Sequence, residues 1–569
     1  MKNRIKQYLL AASMCVGLTA CSDFFEPIPG VQFGLDETFA SKQRTEEYLN
    51  NVYSYVREVT DAIHPNTYGG IFTEASLDGA NRWNKTYAEW TNGSFNSASA
   101  QASEYFSKYY QAIAKASTFI QNVDKCTEAA ASTRGKWKSE ARALRAYYYF
   151  ELLRLYGPIP LIGEDPIPLD ASLEELIKER NSVDECVNFI ATELQSAIDS
   201  GDLLQRAGKA NLGRMDVATC MALKAKLYLY WASPLFNGNT DQASVKNKDG
   251  KQLFPQTEDN SKWAQARDAY ERFMTFATGQ GYKLTEVYTN GKLDPYASCR
   301  AAGEFFTTTW EAVDELIFVK LRDLYDYTYW VCPKFTDFQD TDVTGGGGYY
   351  TTQETVDLFF TKDGLTIEED PGYDKFEGIP SANNFTSGRY YDPNNPSRLY
   401  FDADKSKVLK QWKDREPRFY VNITYSGSIW LNEGKYNEEM RTDFTNGANG
   451  TCGKSKASGD CPDSGYLIRR GAKASNNNGS KHFSPVLRLA DMYLGYAEAL
   501  CMCSDLDNAL TYLNKIRVRA GIPEYTFTAT AGKITCPKTQ TDLLNRIRRE
   551  RLVELVFEWN RYFDVRRWK

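Results

Sequence analysis

Histidine is almost missing from this chain. His64 and His482 are the only two in 569 residues, and they stand far apart with no triad or metal spacing around them. That removes the commonest general base and the commonest metal ligand. The twelve cysteines contain no CxxC pair and have no histidine partner at zinc spacing, so no metal and no cofactor is expected. There is no G-x-S-x-G elbow. A glycine-rich stretch, Gly447 to Ser455 (GANGTCGKS), looks like a phosphate cradle, but its first glycine is one residue too far from Gly453 and no apolar strand precedes it. Catalysis is therefore not expected. A glycoside hydrolase is the lesser alternative: it would need two carboxylates at a set separation, and 74 acidic residues could supply such a pair.

Excess charge is missing too. The 68 basic residues nearly balance the acids, for a net charge of -6, and a mildly acidic surface argues against nucleic acid as a partner. A charged fraction of 25% and a hydrophobic fraction of 42% describe a globular chain. Beyond the first residues, no run is long and apolar enough to cross a bilayer.

The first residues are informative. Lys2, Arg4 and Lys6 precede a short apolar core, Tyr8 to Ala20, with the layout of a signal peptide over residues 1–20. It ends Leu18-Thr19-Ala20-Cys21. Small residues before a cysteine form a lipobox, so Cys21 is expected to be acylated and to become the new N-terminus. A Pro/Gly-rich tether, Glu26-Pro27-Ile28-Pro29-Gly30, follows within residues 21–40. Losing the signal removes three cations and no acid, which moves the net charge from -6 to -9. The body is then expected to be soluble and held to a membrane by its acyl chains.

Aromatics are abundant: 37 Tyr, 30 Phe and 11 Trp. Many belong in a core. Such rings also stack well on the apolar faces of sugars. Of the ten cysteines left after Cys15 and Cys21, Cys452 and Cys461 flank a Gly/Ser/Lys-rich loop and could pair in an oxidising compartment.

Helical periodicity dominates residues 41–281. Trp137, Ala141, Leu144, Tyr148, Leu152 and Leu155 form one apolar face, stopped by Gly157-Pro158. Val183 to Ile198 is the expected partner. Met215 to Trp231 and Trp263 to Phe276 follow, with the loose pattern of tetratricopeptide pairs. Residues 282–483 change texture: Gly, Pro, Asn and aromatics prevail, with four glycines at 345–348 and short helical pieces such as Gln353 to Phe360. A loop-rich region this long is unusual unless it carries function. Residues 484–569 return to helix. Stripes at Leu487–Cys501 and Leu506–Ile516 are followed by one closing helix, Thr541 to Trp568, capped by Thr541. Its interleaved Arg and Glu are expected to pair with each other on the solvated face. The fold class is thus all-α, a helical-repeat scaffold with a loop-rich, aromatic-rich inserted subdomain.

Eight segments resemble, in order, the SusD/RagB family of nutrient-binding outer-membrane lipoproteins. They are CSDFFEPIP (Cys21 to Pro29), SEARALRAYYYFELLRLYGPIPL (Ser139 to Leu161), ALKAKLYLYWASPLFNG (Ala222 to Gly238), TTQETVDLF (Thr351 to Phe359), REPRFY (Arg415 to Tyr420), LRLADMYLGYAEAL (Leu487 to Leu500), LNKIRVRAGIP (Leu513 to Pro523) and RRERLVELVFEWNRYFDVRRW (Arg548 to Trp568). The resemblance implies four tetratricopeptide-like helix pairs. It also implies an outer-membrane lipoprotein, facing the cell exterior, that captures an oligosaccharide and hands it to a SusC-like TonB-dependent transporter. Some relatives handle peptides, so a peptide ligand is the alternative. Family chains usually continue past the Arg-Arg-Trp at Arg566 to Trp568, so further chain is expected after Lys569.

Two groups of residues are candidates for the ligand. The first lies between Ile71 and Phe95, where Asn81, Arg82 and Trp83, with Asp78, Asn84 and Trp90 nearby, offer a ring beside hydrogen-bonding groups. The second lies between Leu321 and Tyr350. Tyr325, Tyr327 and Tyr329 alternate as on one face of an extended segment, followed by Trp330 and the glycine run. Trp83 and Trp330, supported by Tyr325 and Tyr329, are expected to form an aromatic platform, with Asn81 and Arg82 bonding to hydroxyls. The competing expectation is that these rings are core.

Overall fold

Local signals set the ends of the scaffold helices. A computed structural model describes residues 34–56, 63–64, 67–68, 71–82, 93–165, 167, 171–303, 311–322, 329–335, 345–376, 378–430, 440–444, 452, 460–472 and 482–569. Its longer helices are α1 (Lys42–Ser54), α2 (Ala100–Asn122), α3 (Ala131–Tyr156), α4 (Val183–Asp199), α5 (Val217–Ala232), α6 (Ser261–Gly279), α7 (Leu489–Met502), α8 (Leu506–Ala520), α9 (Gln540–Glu554) and α10 (Asn560–Trp568). Gly157 stops α3 at φ 73°, as the Gly-Pro signal predicts. Ser182 starts α4 through a capping box with Glu185. The Asp216 carboxylate accepts the Thr219 N–H at the start of α5. Gly521 closes α8 in the left-handed region.

Neighbouring helices pack as pairs: α2 with α3, α3 with α4, α5 with α6, and α7 with α8. The fold is an all-α tetratricopeptide-like scaffold. The pairing of α3 with α4 follows the periodicity. The single apolar face expected of α3 does not: every residue from Ala143 to Leu153 is buried. The reason is that α1, α2, α4 and α5 surround it. Its buried Arg145 is paired inside the protein. Arg145 donates to Glu193 of α4 at 2.7 Å and to Ser117 of α2 at 3.0 Å, tying three helices together.

The closing helix is two helices, not one. Phe557 and Trp559 take positive φ (62° and 63°) between α9 and α10. The turn brings Asp564 back to Arg551, Nε to Oδ2 at 2.6 Å. In one straight helix these residues would stand about 20 Å apart. The same turn packs Tyr562 and Phe563 on Phe72, with ring centres at 4.9 and 5.3 Å.

The charges of this segment are also not on a solvated face. Glu550, Arg551, Glu554, Glu558, Asp564 and Arg567 are buried. Arg488 lies among Glu315 (2.7 Å), Glu554 (2.8 Å) and Glu558 (2.8 Å). Arg418 from the 417–422 helical turn reaches Glu550 at 2.7 Å, and Arg517 of α8 reaches the same carboxylate at 3.0 Å. Buried charge persists only where it is compensated this fully. This network joins the inserted region to α8 and α9.

Short strands serve the insert: β1 (Ala80–Asn81), β2 (Leu316–Arg322), β3 (Tyr349–Tyr350), β4 (Ile423–Tyr425), β5 (Tyr466–Ile468) and β6 (His482–Arg488). β2 and β6 pair antiparallel, leading the chain back to α7. The other four make one antiparallel sheet in the order β4-β5-β3-β1, with Ile423 opposite Ile468, Leu467 opposite Tyr350 and Asn81 opposite Tyr349. Among the described residues, no helix is long and apolar enough to cross a membrane.

Candidate functional site

The sheet brings the two sequence-predicted groups together. β1 carries Ala80 and Asn81, and its neighbour β3 is the continuation of the glycine run. The Arg82 N–H donates to the Gly348 carbonyl at 2.9 Å. The run in turn lies against residues 329–333: Gly346 N–H donates to Tyr329 O at 2.7 Å, Gly347 N–H to Cys332 O at 2.9 Å, and Gly348 N–H to Trp330 O at 3.1 Å.

This close approach explains the glycines. A Cβ on Gly346 would stand 2.6 Å from Trp330 Cε3 and 2.7 Å from Tyr329 Cε1. One on Gly345 would stand 2.4 Å from the carbonyl oxygens of both Tyr329 and Cys332. Only glycine lets the backbone pass directly under the two rings. Tyr329 and Trp330 meet edge to face, with ring centres 5.3 Å apart at 84°. Both are half-buried, and Trp330 rests on the hydrophobic core.

A fourth segment, the turn before β5, completes the surface. Arg82 donates to the Cys461 carbonyl at 3.3 Å and pairs with Asp463. Lys334 pairs with Asp460 of the same turn. Behind the sheet lies Glu74. Burial pushes its carboxyl up to about 8, opposed by the Asn81 N–H that it accepts. Among the described residues, its Oε1 has no hydrogen-bond partner. Tyr350 is raised as well, first by burial and then by the charges of Asp463 and Glu74.

Residues 315–569 match the family model described as SusD family. Residues 32–229 match one described as starch-binding associating with outer membrane. The chain belongs to the SusD/RagB family. A SusD-like protein of Bacteroides ovatus is 27% identical over 175 residues, a match that spans only 30% of either chain. The solved structure named BT4246 is 26% identical, covering 93% of this chain and 89% of its own, with a TM-score of 0.74. A SusD-like protein from Bacteroides fragilis shares the fold at 22% identity, covering 94% and 89%, with a TM-score of 0.67. So does surface glycan-binding protein A from Bacteroides uniformis, at 16% identity, covering 92% and 87%, with a TM-score of 0.54.

In this SusD/RagB chain, Arg82, Tyr329 and Trp330 stand together around the glycine run. Asn81 is only 6% exposed, which leaves its side chain little surface to offer. Tyr329 belongs to a helical turn at 329–331, not to the extended segment expected, because the glycine run accommodates the tight turn against it. Trp83, Asn84, Trp90, Tyr325 and Tyr327 lie outside the described residues, as do Cys21 and most of Gly447 to Ser455. Cys452 and Cys461 are both buried. Sequence reasoning missed Asp460 and Asp463. The Pro462-Asp463-Ser464-Gly465 run was a legible turn signal. Its pairing with Arg82 was not legible. Among the described residues, no group of three or more His, Cys, Asp or Glu is placed to hold a metal ion.

Proposed function

We propose that this SusD/RagB protein is an outer-membrane lipoprotein that binds an oligosaccharide and delivers it to a SusC-like TonB-dependent transporter. Binding involves no covalent chemistry, and the anchor is Cys21. The observation that carries the reading is the Tyr329–Trp330 ring pair beside the Arg82–Asp463 ion pair, all held on one sheet edge by the glycine run. The rings supply faces for pyranose stacking, and the guanidinium and carboxylate supply directional bonds to hydroxyls. Family membership supports carbohydrate binding, and a relative of the same fold is a surface glycan-binding protein.

Calorimetry with a panel of neutral polysaccharides and peptides tests this. Wild-type protein should bind a glycan, and chromatography should recover that glycan unchanged. Each ring should contribute on the order of 1–3 kcal/mol, by analogy with base stacking on aromatics. Trp330→Ala should then weaken binding about tenfold or more. Some loss of melting temperature should accompany it, because Trp330 also touches the core. A panel in which only peptides bind, or a Trp330→Ala protein with wild-type glycan affinity, would overturn the assignment. Gentle detergent extraction should recover the transporter with the protein.

A further inference from the structure

Ser464, Gly465 and Tyr466, at the end of the turn that pairs with Arg82, line a cleft of about 600 Å³. Small-molecule sites run from roughly 300 to 1,000 Å³. Trp412 and Tyr466 form its floor, and Phe376 and Phe444 stand half-buried along it. The floor is fixed by a chain of hydrogen bonds. Trp412 Nε1 donates to the Tyr466 hydroxyl at 3.0 Å, which donates to Gln353 Oε1 at 2.7 Å. Tyr373 locks the base of the loop that carries Phe376: its hydroxyl accepts from Arg415 at 2.8 Å and donates to the Gln411 carbonyl at 3.3 Å. Among the described residues the lining holds one acid, Asp357, and one base, Lys375, beside amides, hydroxyls, aromatic rings, Leu409, Pro380 and two glycines. Such a lining suits a neutral polyhydroxylated ligand, with rings for its apolar faces and amides for its hydroxyls.

We infer that this cleft is a second sugar subsite, which takes further units of a glycan chain held at the Tyr329–Trp330 platform. The inference rests on the glycan-binding reading above. Continuity carries it: Asp463 pairs with Arg82 at the platform, while Ser464, Gly465 and Tyr466, the next three residues, line the cleft. One turn thus serves both surfaces, and a chain leaving the first has the second within reach. Two linked contacts on one ligand raise affinity beyond either alone.

The test uses the full protein and oligosaccharides of β-1,3-glucan, α-1,4-glucan and α-mannan, from disaccharide to octasaccharide. Two variants address the cleft: Phe376→Ala/Phe444→Ala removes its half-buried rings, and Ser464→Trp fills it from an exposed position without removing a core residue. Circular dichroism checks the fold of each, and the second variant stands in if the first does not fold. The expected result is an affinity that rises with chain length in the wild type, and a loss of about tenfold for the longest chains in both cleft variants. The shortest chains should bind the variants as before, while Trp330→Ala weakens chains of every length. If a folded cleft variant binds all lengths as the wild type does and Trp330→Ala does not, the second subsite is wrong and the platform stands. If the cleft variants lose all binding and Trp330→Ala loses none, the cleft binds sugar and the platform assignment falls. If the wild type binds no chain of any series, both fall together.

Discussion

Arg561 Nη1 donates to Asp78 Oδ1 at 2.9 Å across 483 positions of sequence. The same guanidinium reaches Thr355 Oγ1 at 3.1 Å and Glu354 Oε1 at 2.7 Å. It thereby pins α10 to the segment that runs into β1 and the platform. Asp78 is fully buried, and burial raises its carboxyl against the pull of Arg561. Arg561→Met should leave that carboxylate uncompensated and cost about 3–5 kcal/mol in denaturant unfolding. Asp78→Asn should cost clearly less, because the neutral amide can still accept a bond. Equal losses for the two substitutions would show that the charge of Asp78 is unimportant.

Arg488 faces three carboxylates at once, Glu315, Glu554 and Glu558. Although burial opposes it, the charges of Arg519, Arg488 and Arg418 hold the Glu554 carboxyl well below the usual carboxylate range. Arg488→Met should therefore destabilise by at least about 3–5 kcal/mol, the cost of breaking a buried pair. Replacing an exposed cation such as Lys108 (paired with Glu104) should cost under about 1 kcal/mol. A small effect at Arg488 in urea titration would count against the network.

Glu74 predicts a pH dependence with a definite sign. Its folded carboxyl titrates at about 8, above its ordinary 4.5. Between those values the folded state holds a proton that the unfolded state has lost. Stability is thus complete below about 4.5 and falls as pH rises towards 8, by up to about 1.4 kcal/mol per pH unit. Melting curves from pH 6.5 to 8 should show this fall in the wild type and a flatter profile in Glu74→Gln. Parallel profiles would place the titration elsewhere.

Gly346→Ala should disturb the platform from below. Its new methyl would overlap the Trp330 and Tyr329 rings, and overpacking of this kind costs about 1–3 kcal/mol. Glycan affinity should fall with stability. Gly279→Ala is the control, because among the described residues nothing lies within 4 Å of a Cβ there. A Gly346→Ala protein with unchanged melting and binding would mean that the rings move aside freely.

Cys21→Ala should give a folded protein that no longer partitions with membranes. The lipobox-like Leu18 to Cys21 motivates this, and on the anchoring proposed above the physical effect would be loss of the transfer energy of acyl chains on Cys21. Fractionation of whole cells decides it: a variant that still sediments with membranes would remove Cys21 from the anchoring role.

The helices from α3 to α8 were legible because they repeat apolar residues at three- and four-residue spacing, and several ends carry a recognisable signal, such as Gly157 after α3 and Gly521 after α8. The break after Glu554 was not. Leu552, Val556, Trp559 and Phe563 keep a helical rhythm straight through it, and no Pro or Gly marks the turn. Buried and solvated charge also look alike in one sequence, since i to i+4 spacing of Arg and Glu fits either setting. What separates them is the partner, and besides Asp564 of their own segment Arg551 and Arg567 pair with Asp491 and Glu498 on α7. At the site, the glycine run and its neighbouring rings were visible as composition. The cleft was not, because its lining is drawn from positions scattered between Gln353 and Tyr466.

The reach of α10 bears on how the protein acquires its structure. Arg561 pairs with Asp78, far away in sequence, and Arg567 pairs with Glu498 on α7. Until α10 has docked, neither acceptor has that partner. Contacts of such long sequence separation slow folding, because loop closure precedes any return from pairing. The early helices can form as local pairs while the chain is still being delivered. The sheet edge that carries the platform should be among the last parts to set, and deuterium pulse labelling during refolding should find protection at Ala80 to Arg82 arriving together with that of α10.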